Sequence, residues 1–156
     1  MKILLPIDGS PDALAAVRHA LHLVRAGLQA SFVLANVQTR ANLYEVMVAH
    51  DPAVIAQLRS DAGADLLRPA QALLEAAGAA WESEVAGGEP ATLLVDLIEK
   101  YGCDAVIMGS QGAGSLRSAL LGSVSGALLR HSPVPVTVVR RVEDETDAGA
   151  GAGLAS

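Results

Sequence analysis

Five short apolar runs alternate with four segments of helical spacing along this chain, and this alternation constrains the fold more than any other feature. Nearly continuous apolar runs are typical of parallel strands that are covered on both faces. Helices of crossover length between such strands predict an open five-stranded parallel α/β sheet flanked by helices, with right-handed connections. The predicted strands span residues 2–7, 31–37, 80–86, 105–108 and 134–140.

The first strand and the helix after it have clear local signals. Pro6 lacks a backbone N–H and should end the strand, which leaves Asp8 at its carboxyl end. Ser10 is then a helix cap, Pro11 suits the first helical position and Gly27 supplies the stop. Asp8 has two readings at this stage: it could form the turn, or it could bind ribose hydroxyls or a phosphate-bound metal.

The region between the second and third strands is predicted to be helical in more than one piece. Tyr44, Met47 and Val48 have helical spacing, and a second pattern starts at Pro52. Pro69 lies inside that second pattern, where it removes an intrahelical hydrogen bond. The sequence therefore predicts two helical pieces, with a kink or break at Pro69.

A glycine pattern follows the fourth strand. Gly109 and Gly112 come directly after it, and Gly122 and Ser123 open the next helical pattern. Glycine lets backbone N–H groups approach phosphate oxygens closely, and a helix N-terminus favours an anion. These residues outline a phosphate cradle, although a simple turn with Ser123 as a helix cap would need the same residue types.

In its spacing Gly109-x2-Gly112-x9-Gly122-Ser123, and in the flanking stretches MKILLPIDGS and HSPVPVTVVR, the chain resembles the ATP-binding subgroup of the universal stress protein family. The resemblance implies a Rossmann-like sheet of the adenine nucleotide alpha hydrolase type with strand order 3-2-1-4-5, and ATP with Mg²⁺ as ligands. It also implies that Asp8 lies beside the nucleoside and that the main chain of Val37 recognises adenine. A Val in a strand is otherwise an ordinary core residue.

The chain departs from a common family pattern at Ala113, where many members have a basic side chain. Phosphate charge must then be met by backbone N–H groups, the helix N-terminus, Mg²⁺ and Arg117. Arg117 could equally be a solvated surface residue.

Composition excludes several classes of function. A net charge of −6 argues against binding nucleic acid through global charge. No stretch has the length of a membrane span and no signal peptide pattern is visible, so the expected location is cytoplasmic.

Cys103 is the single cysteine and is predicted to be a small buried hydrophobic residue. His19 and His22 are three apart on a helix but lack further ligands at metal-site spacing.

No catalytic group can be named from the sequence. There is no Walker lysine after the glycines and no GxSxG elbow. The leading interpretation is a nucleotide-dependent stress-response regulator or interaction module. One alternative is a slow ATPase, or an enzyme that phosphorylates itself on Ser110, Ser115 or Ser123. Another is a dimeric interaction protein that works without nucleotide.

The last strand predicts a partner. As the final strand it should lie at a sheet edge, and an apolar edge invites pairing with a second copy of the chain. Family members that resemble this chain dimerise in this way, so a homodimer through Val136 and Val138 is expected. Residues 1–142 are expected to form the domain. Residues 143–156, rich in Gly, Ala and acidic side chains, are expected to be a disordered tail that could instead shield the edge.

Overall fold

The computed structural model describes residues 1–39, 51–111 and 121–141. Within them, strands and helices alternate along the chain. The strands are β1 Lys2–Pro6, β2 Ser31–Gln38, β3 Trp81–Gly87, β4 Ala105–Gly109 and β5 Val136–Val139. The helices are α1 Pro11–Arg25, α2 Pro52–Ala76, α3 Pro90–Tyr101 and α4 Ser123–His131.

The five strands form one parallel sheet in the order β3-β2-β1-β4-β5, which confirms the predicted class and order. β1 lies at the centre, pairing with β2 on one side and β4 on the other. The observed strand ends differ from the predicted ones by one or two residues, most visibly in β5, which is shorter at both ends.

Each face of the sheet is covered by a pair of helices. Helices α1 and α2 pack on one face, around Phe32, Leu67 and Leu74. Helices α3 and α4 pack on the other face, around Val33, Leu97 and Leu128. Because side chains alternate along a strand, neighbouring β2 residues Phe32 and Val33 serve opposite faces of the sheet. Cys103 is buried in the second cluster, as the sequence predicts.

The prediction of two helical pieces around Pro69 is wrong, because α2 is one continuous helix with Pro69 inside it. Leu67, Ala70 and Leu74 flank the proline and are buried against the sheet. Their burial outweighs a proline penalty of about 3 kcal/mol. Tyr44, Met47 and Val48 lie outside the described residues, as do residues 143–156.

Within the described part of the chain, no helix is both long and apolar enough to cross a membrane.

A polar cluster ties the end of α3 to the edge strand β3. The Tyr101 hydroxyl donates to Glu84 Oε2 at 2.5 Å, and Lys100 Nζ lies 2.9 Å from the same oxygen. The hydrogen bond to the Glu84 carboxylate, followed by burial, raises the pKa of Tyr101 to about 12. The same hydrogen bond is the main cause that lowers the pKa of Glu84.

This cluster should make the free energy of unfolding depend on pH in the alkaline range. Since the folded-state pKa of Tyr101 lies above its ordinary value of 10.0, its contribution is complete below pH 10 and is lost as the pH rises towards 12. Urea unfolding at pH 9 should give the parent a larger free energy of unfolding than Tyr101→Phe. This difference in free energy should shrink between pH 10 and 12. A difference that stays constant over that range would contradict this assignment.

Candidate functional site

A cavity of about 410 Å³ opens at the carboxyl ends of β1, β2 and β4. The order of the sheet places this point where the winding reverses, which is where open α/β sheets bind ligands. Of the six residues predicted from the sequence, five line this one cavity: Asp8, Val37, Gly109, Gly122 and Ser123. The sixth, Gly112, lies outside the described residues, as do Ala113, Ser115 and Arg117.

Asp8 forms the turn that leads from β1 into α1. Its Oδ1 accepts from the Ser10 backbone N–H at 2.9 Å, and the Ser10 hydroxyl then accepts from the Ala13 N–H at 3.2 Å to cap α1. Asp8 is exposed and also lines the cavity. The two readings of Asp8 are therefore compatible, because the turn directs one carboxylate to the cavity wall while it starts the helix.

Val37 lies near the end of β2. Its side chain is half-buried and packs against the cluster beneath α3 and α4, as a core residue would. It also lines the cavity. Val37 can therefore contact a ligand near the carboxyl end of β2 while it also packs in the core.

Gly109 is required for a reason that the sequence did not indicate. A Cβ on Gly109 would lie 2.7 Å from the carbonyl carbon of Asp12, in the first turn of α1. The missing side chain thus lets α1 pack closely against the end of β4. Gly109 lines the cavity as well, but neither it nor Gly122 has positive φ.

The start of α4 differs in detail from both predictions made for it, a phosphate cradle that includes Gly122 and a helix cap at Ser123. Gly122, not Ser123, is the N-cap, with φ −71° and ψ 165°, and no side chain of the described residues makes a capping bond to this helix. The Gly122 N–H donates to the Ser110 carbonyl at 2.6 Å. Gly122 therefore supplies no N–H to a ligand. The first N–H of α4 that could face an anion is that of the exposed Ser123.

Ser110 joins the elements around this helix start. Its carbonyl also accepts from the Ser125 hydroxyl at 2.9 Å, and its own hydroxyl donates to Asp12 Oδ2 at 3.2 Å. Its N–H donates to the Val139 carbonyl at 3.0 Å. With 4% of its surface exposed, Ser110 is a poor acceptor for phosphorylation and acts as a structural junction.

Two cavity residues escaped the sequence analysis. Asn36 and Gln38 are buried polar side chains at the end of β2, and both line the cavity. Amides within an otherwise apolar strand, on either side of Val37, were the signal that could have identified them, because buried polar groups need partners.

Electrostatically, the described cavity wall carries one ionisable side chain, that of Asp8. The described ranges contain no group of three or more His, Cys, Asp or Glu residues able to hold a metal ion. The wall is otherwise apolar or neutral. Such a surface suits a flat apolar group, with hydrogen-bonding and anionic parts placed at the loop of Asp8 and at the start of α4.

Comparison with known proteins assigns the chain to a family. A model of the universal stress protein family matches residues 1–140. Universal stress protein MJ0531 of Methanocaldococcus jannaschii is 28% identical over 144 residues, covering 92% of this chain and 84% of that protein.

Solved structures with similar folds include those of two other proteins. MJ0577, also of Methanocaldococcus jannaschii, is 26% identical with a TM-score of 0.74, covering 92% of this chain and 97% of that one. A universal stress protein in complex with cAMP is 26% identical with a TM-score of 0.62, covering 90% and 96%. From the match over residues 1–140, the chain belongs to the universal stress protein family.

Proposed function

We propose that this protein binds an adenine nucleotide, ATP with Mg²⁺, in the cavity between β1 and β4, and acts as a nucleotide-dependent regulator or interaction module in the stress response. The observation that carries the proposal is the convergence of Asp8, Val37, Gly109, Gly122 and Ser123 on one cavity. The family membership and the relative solved with cAMP support an adenine nucleotide as the class of ligand.

The chemistry of the wall fits the parts of such a ligand. Val37, Leu94 and Met108 offer apolar surface to a base. Asp8 can accept hydrogen bonds from ribose hydroxyls. The N-terminal end of α4, beginning at Ser123, can bind phosphate through backbone N–H groups.

The wall also fits Mg²⁺ carried by the nucleotide. Mg²⁺ is commonly bound through one or two carboxylates together with substrate phosphates, and it retains several waters. Because the one carboxylate of the described wall, Asp8, is assigned to the ribose, the phosphates of the nucleotide and waters would hold the ion here. When bound, the ion would neutralise phosphate charge, which matters because the described wall has no cationic side chain.

A regulatory role needs differential binding and no catalytic residue. A nucleotide shifts a conformational equilibrium by the difference in its affinity for the two states. Ser110 links the start of α4 to β5, so the cavity and the edge strand share a hydrogen-bonded junction. Through this junction, nucleotide binding could alter the edge at β5, where a partner could bind.

The experiment that tests the proposal is a calorimetric titration of ATP with Mg²⁺, and separately of GTP, into protein freed of co-purified nucleotide. We expect saturable binding of ATP and weaker binding of GTP. Adenine and guanine differ in the hydrogen-bonding groups on their edges, and the backbone of β2 beside the cavity can distinguish these groups. Equal affinity for ATP and GTP would contradict adenine recognition. The absence of heat with either nucleotide at millimolar concentration would contradict the site.

We also propose a homodimer formed through β5, which is an edge strand. The side chains of Val136 and Val138 are half-buried and pack on the protein's own core, so the open feature is the backbone. The Pro135 carbonyl accepts from Val106 of β4, and the Val139 carbonyl accepts from Ser110, which follows β4. Alternation therefore turns the backbone groups of Val136 and Val138 to the open edge.

Val138→Pro should abolish this pairing, since it removes an outward N–H and leaves the bonds to β4 in place. Light scattering after size-exclusion chromatography should give twice the chain mass of 15.9 kDa for the parent and a single mass for the variant. Thr137→Pro is the comparison variant. The Thr137 N–H of the parent faces β4, so its loss should lower the melting temperature. A parent that is already monomeric at micromolar concentration would contradict the dimer.

A further inference from the structure

Asn36 is a fully buried polar side chain in the wall of the cavity. It is 1% exposed and lies on β2 between the apolar residues Ala35 and Val37. Burying an amide costs free energy unless its donor and acceptor are both satisfied. An apolar side chain would fill the same space without that requirement, so the hydrogen bonds of Asn36 call for an explanation.

The two ends of the amide have different partners. Asn36 Nδ2 donates to the Ile7 carbonyl at 2.8 Å, and Gln38 Nε2 donates to Asn36 Oδ1 at 2.6 Å. A carbonyl can only accept, so the NH₂ group of Asn36 must face Ile7. Helix α2 confines the other side, because a Cβ on Gly63 would lie 3.0 Å from Asn36 Oδ1. The amide is thus fixed in orientation as well as in place.

The bonded carbonyl belongs to the peptide that joins Ile7 to Asp8. The Ile7 N–H donates to the Ala35 carbonyl at 2.8 Å, so β2 holds both polar groups of Ile7 beyond the end of β1. The plane of the Ile7–Asp8 peptide sets the direction in which the Asp8 side chain leaves the backbone. The hydrogen bond from Asn36 is therefore one of the restraints on where the Asp8 carboxylate stands in the cavity.

We infer that Asn36 is a positioning residue that aligns the Asp8 carboxylate with the ribose hydroxyls of the bound nucleotide. The inference rests on the proposed adenine nucleotide site. Asn36 acts through the Ile7–Asp8 peptide and need not touch the ligand. The preference for a ribose over a sugar without hydroxyls therefore depends on Asn36, a side chain of β2, as well as on Asp8 at the end of β1.

The test compares ATP with 2′,3′-dideoxyATP, both with Mg²⁺, in calorimetric titrations. The parent should prefer ATP by about tenfold, the value of one hydrogen bond to a charged group at the lower end of its usual range. Asp8→Asn should reduce that preference. Asn36→Ala should reduce it to about twofold by weakening ATP binding while the dideoxy compound binds nearly as before.

A matched control separates positioning from general loss of stability. Val33 is fully buried on the same strand but does not line the cavity, so Val33→Ala should lower the melting temperature and keep the tenfold preference. If Asn36→Ala does not fold, Gln38→Leu replaces it. That variant removes the donor to Asn36 Oδ1 and should also reduce the preference.

The outcomes distinguish the inference from the function on which it rests. A reduced preference in Asn36→Ala, or in Gln38→Leu, supports the positioning role. Equal weakening of both compounds by the variant, or an unchanged preference, overturns the positioning role but does not contradict the proposed nucleotide site. A parent that binds both compounds equally also overturns it. A parent that binds neither rejects the proposed function and the inference together.

Discussion

Replacing Ser123 by Glu is expected to weaken ATP binding by about 100-fold or more. A carboxylate would stand at the proposed phosphate position, and like charges brought together cost several kcal/mol. Ser123 is exposed on the cavity wall and is the first residue of α4. A Glu in the first turn of a helix favours the macrodipole, so the variant should fold as well as the parent. Calorimetric titration with ATP and Mg²⁺ measures the effect.

Ala53→Glu is the matched control for this variant. Ala53 is an exposed residue in the first turn of α2, a helix with no acidic residue in that turn, and it does not line the cavity. Ala53→Glu adds the same charge to the first turn of another helix, one whose N-cap is Asp51, and should bind ATP like the parent. Equal weakening in both variants would mean that the effect is one of net charge, and unchanged binding by Ser123→Glu would remove the start of α4 from the site.

Gly109→Ala is expected to destabilise the fold by about 1–3 kcal/mol, the usual cost of overpacking. The new Cβ would meet the backbone of Asp12 at 2.7 Å, and backbone cannot move aside as a flexible side-chain end can. Helix α1 would have to shift away from β4. Urea unfolding measures the change, and the shift should also weaken nucleotide binding, since Ser10 and Ala13 of this region line the cavity.

Gly126→Ala provides a comparison of opposite sign. Gly126 lies inside α4. Among the described residues, a Cβ there would meet only the end of the Arg130 side chain, at 3.9 Å. Replacing a helical glycine by alanine should stabilise the protein by about 0.5–1 kcal/mol. A Gly109→Ala variant as stable as the parent would show that α1 and β4 are not in the close contact described above.

The sheet could be predicted because its signals are local. Apolar runs of strand length, the cap at Ser10 and the stop at Gly27 each follow from nearest-neighbour chemistry. The strand order came from the resemblance to a family, since spacing along a chain does not reveal which strands pair. Pro69 was misjudged because the burial of Leu67 and Leu74, which holds α2 together, is tertiary information.

Five of the six predicted residues line one cavity, but the sequence did not indicate the structural roles of two of them. Gly109 and Gly122 were chosen for close approach to phosphate. Instead Gly109 makes room for Asp12, and the Gly122 N–H is bonded to Ser110. Asn36 escaped notice because its partner, Ile7, is 29 residues away along the chain. Long-range hydrogen bonds of this kind leave no pattern in a sequence beyond an unexpected polar residue in a strand.

The most direct test of the central claim is a map of backbone amide chemical shifts from ¹H–¹⁵N NMR spectra, recorded with and without ATP and Mg²⁺. Binding in the cavity should shift the amides of Asp8, Val37, Gly109 and Ser123 and leave those of the β3 edge, such as Glu82, unchanged. Saturable shifts centred on these cavity residues are the expected result. Shifts centred elsewhere on the molecule, or none at saturating nucleotide, would contradict an adenine nucleotide site between β1 and β4.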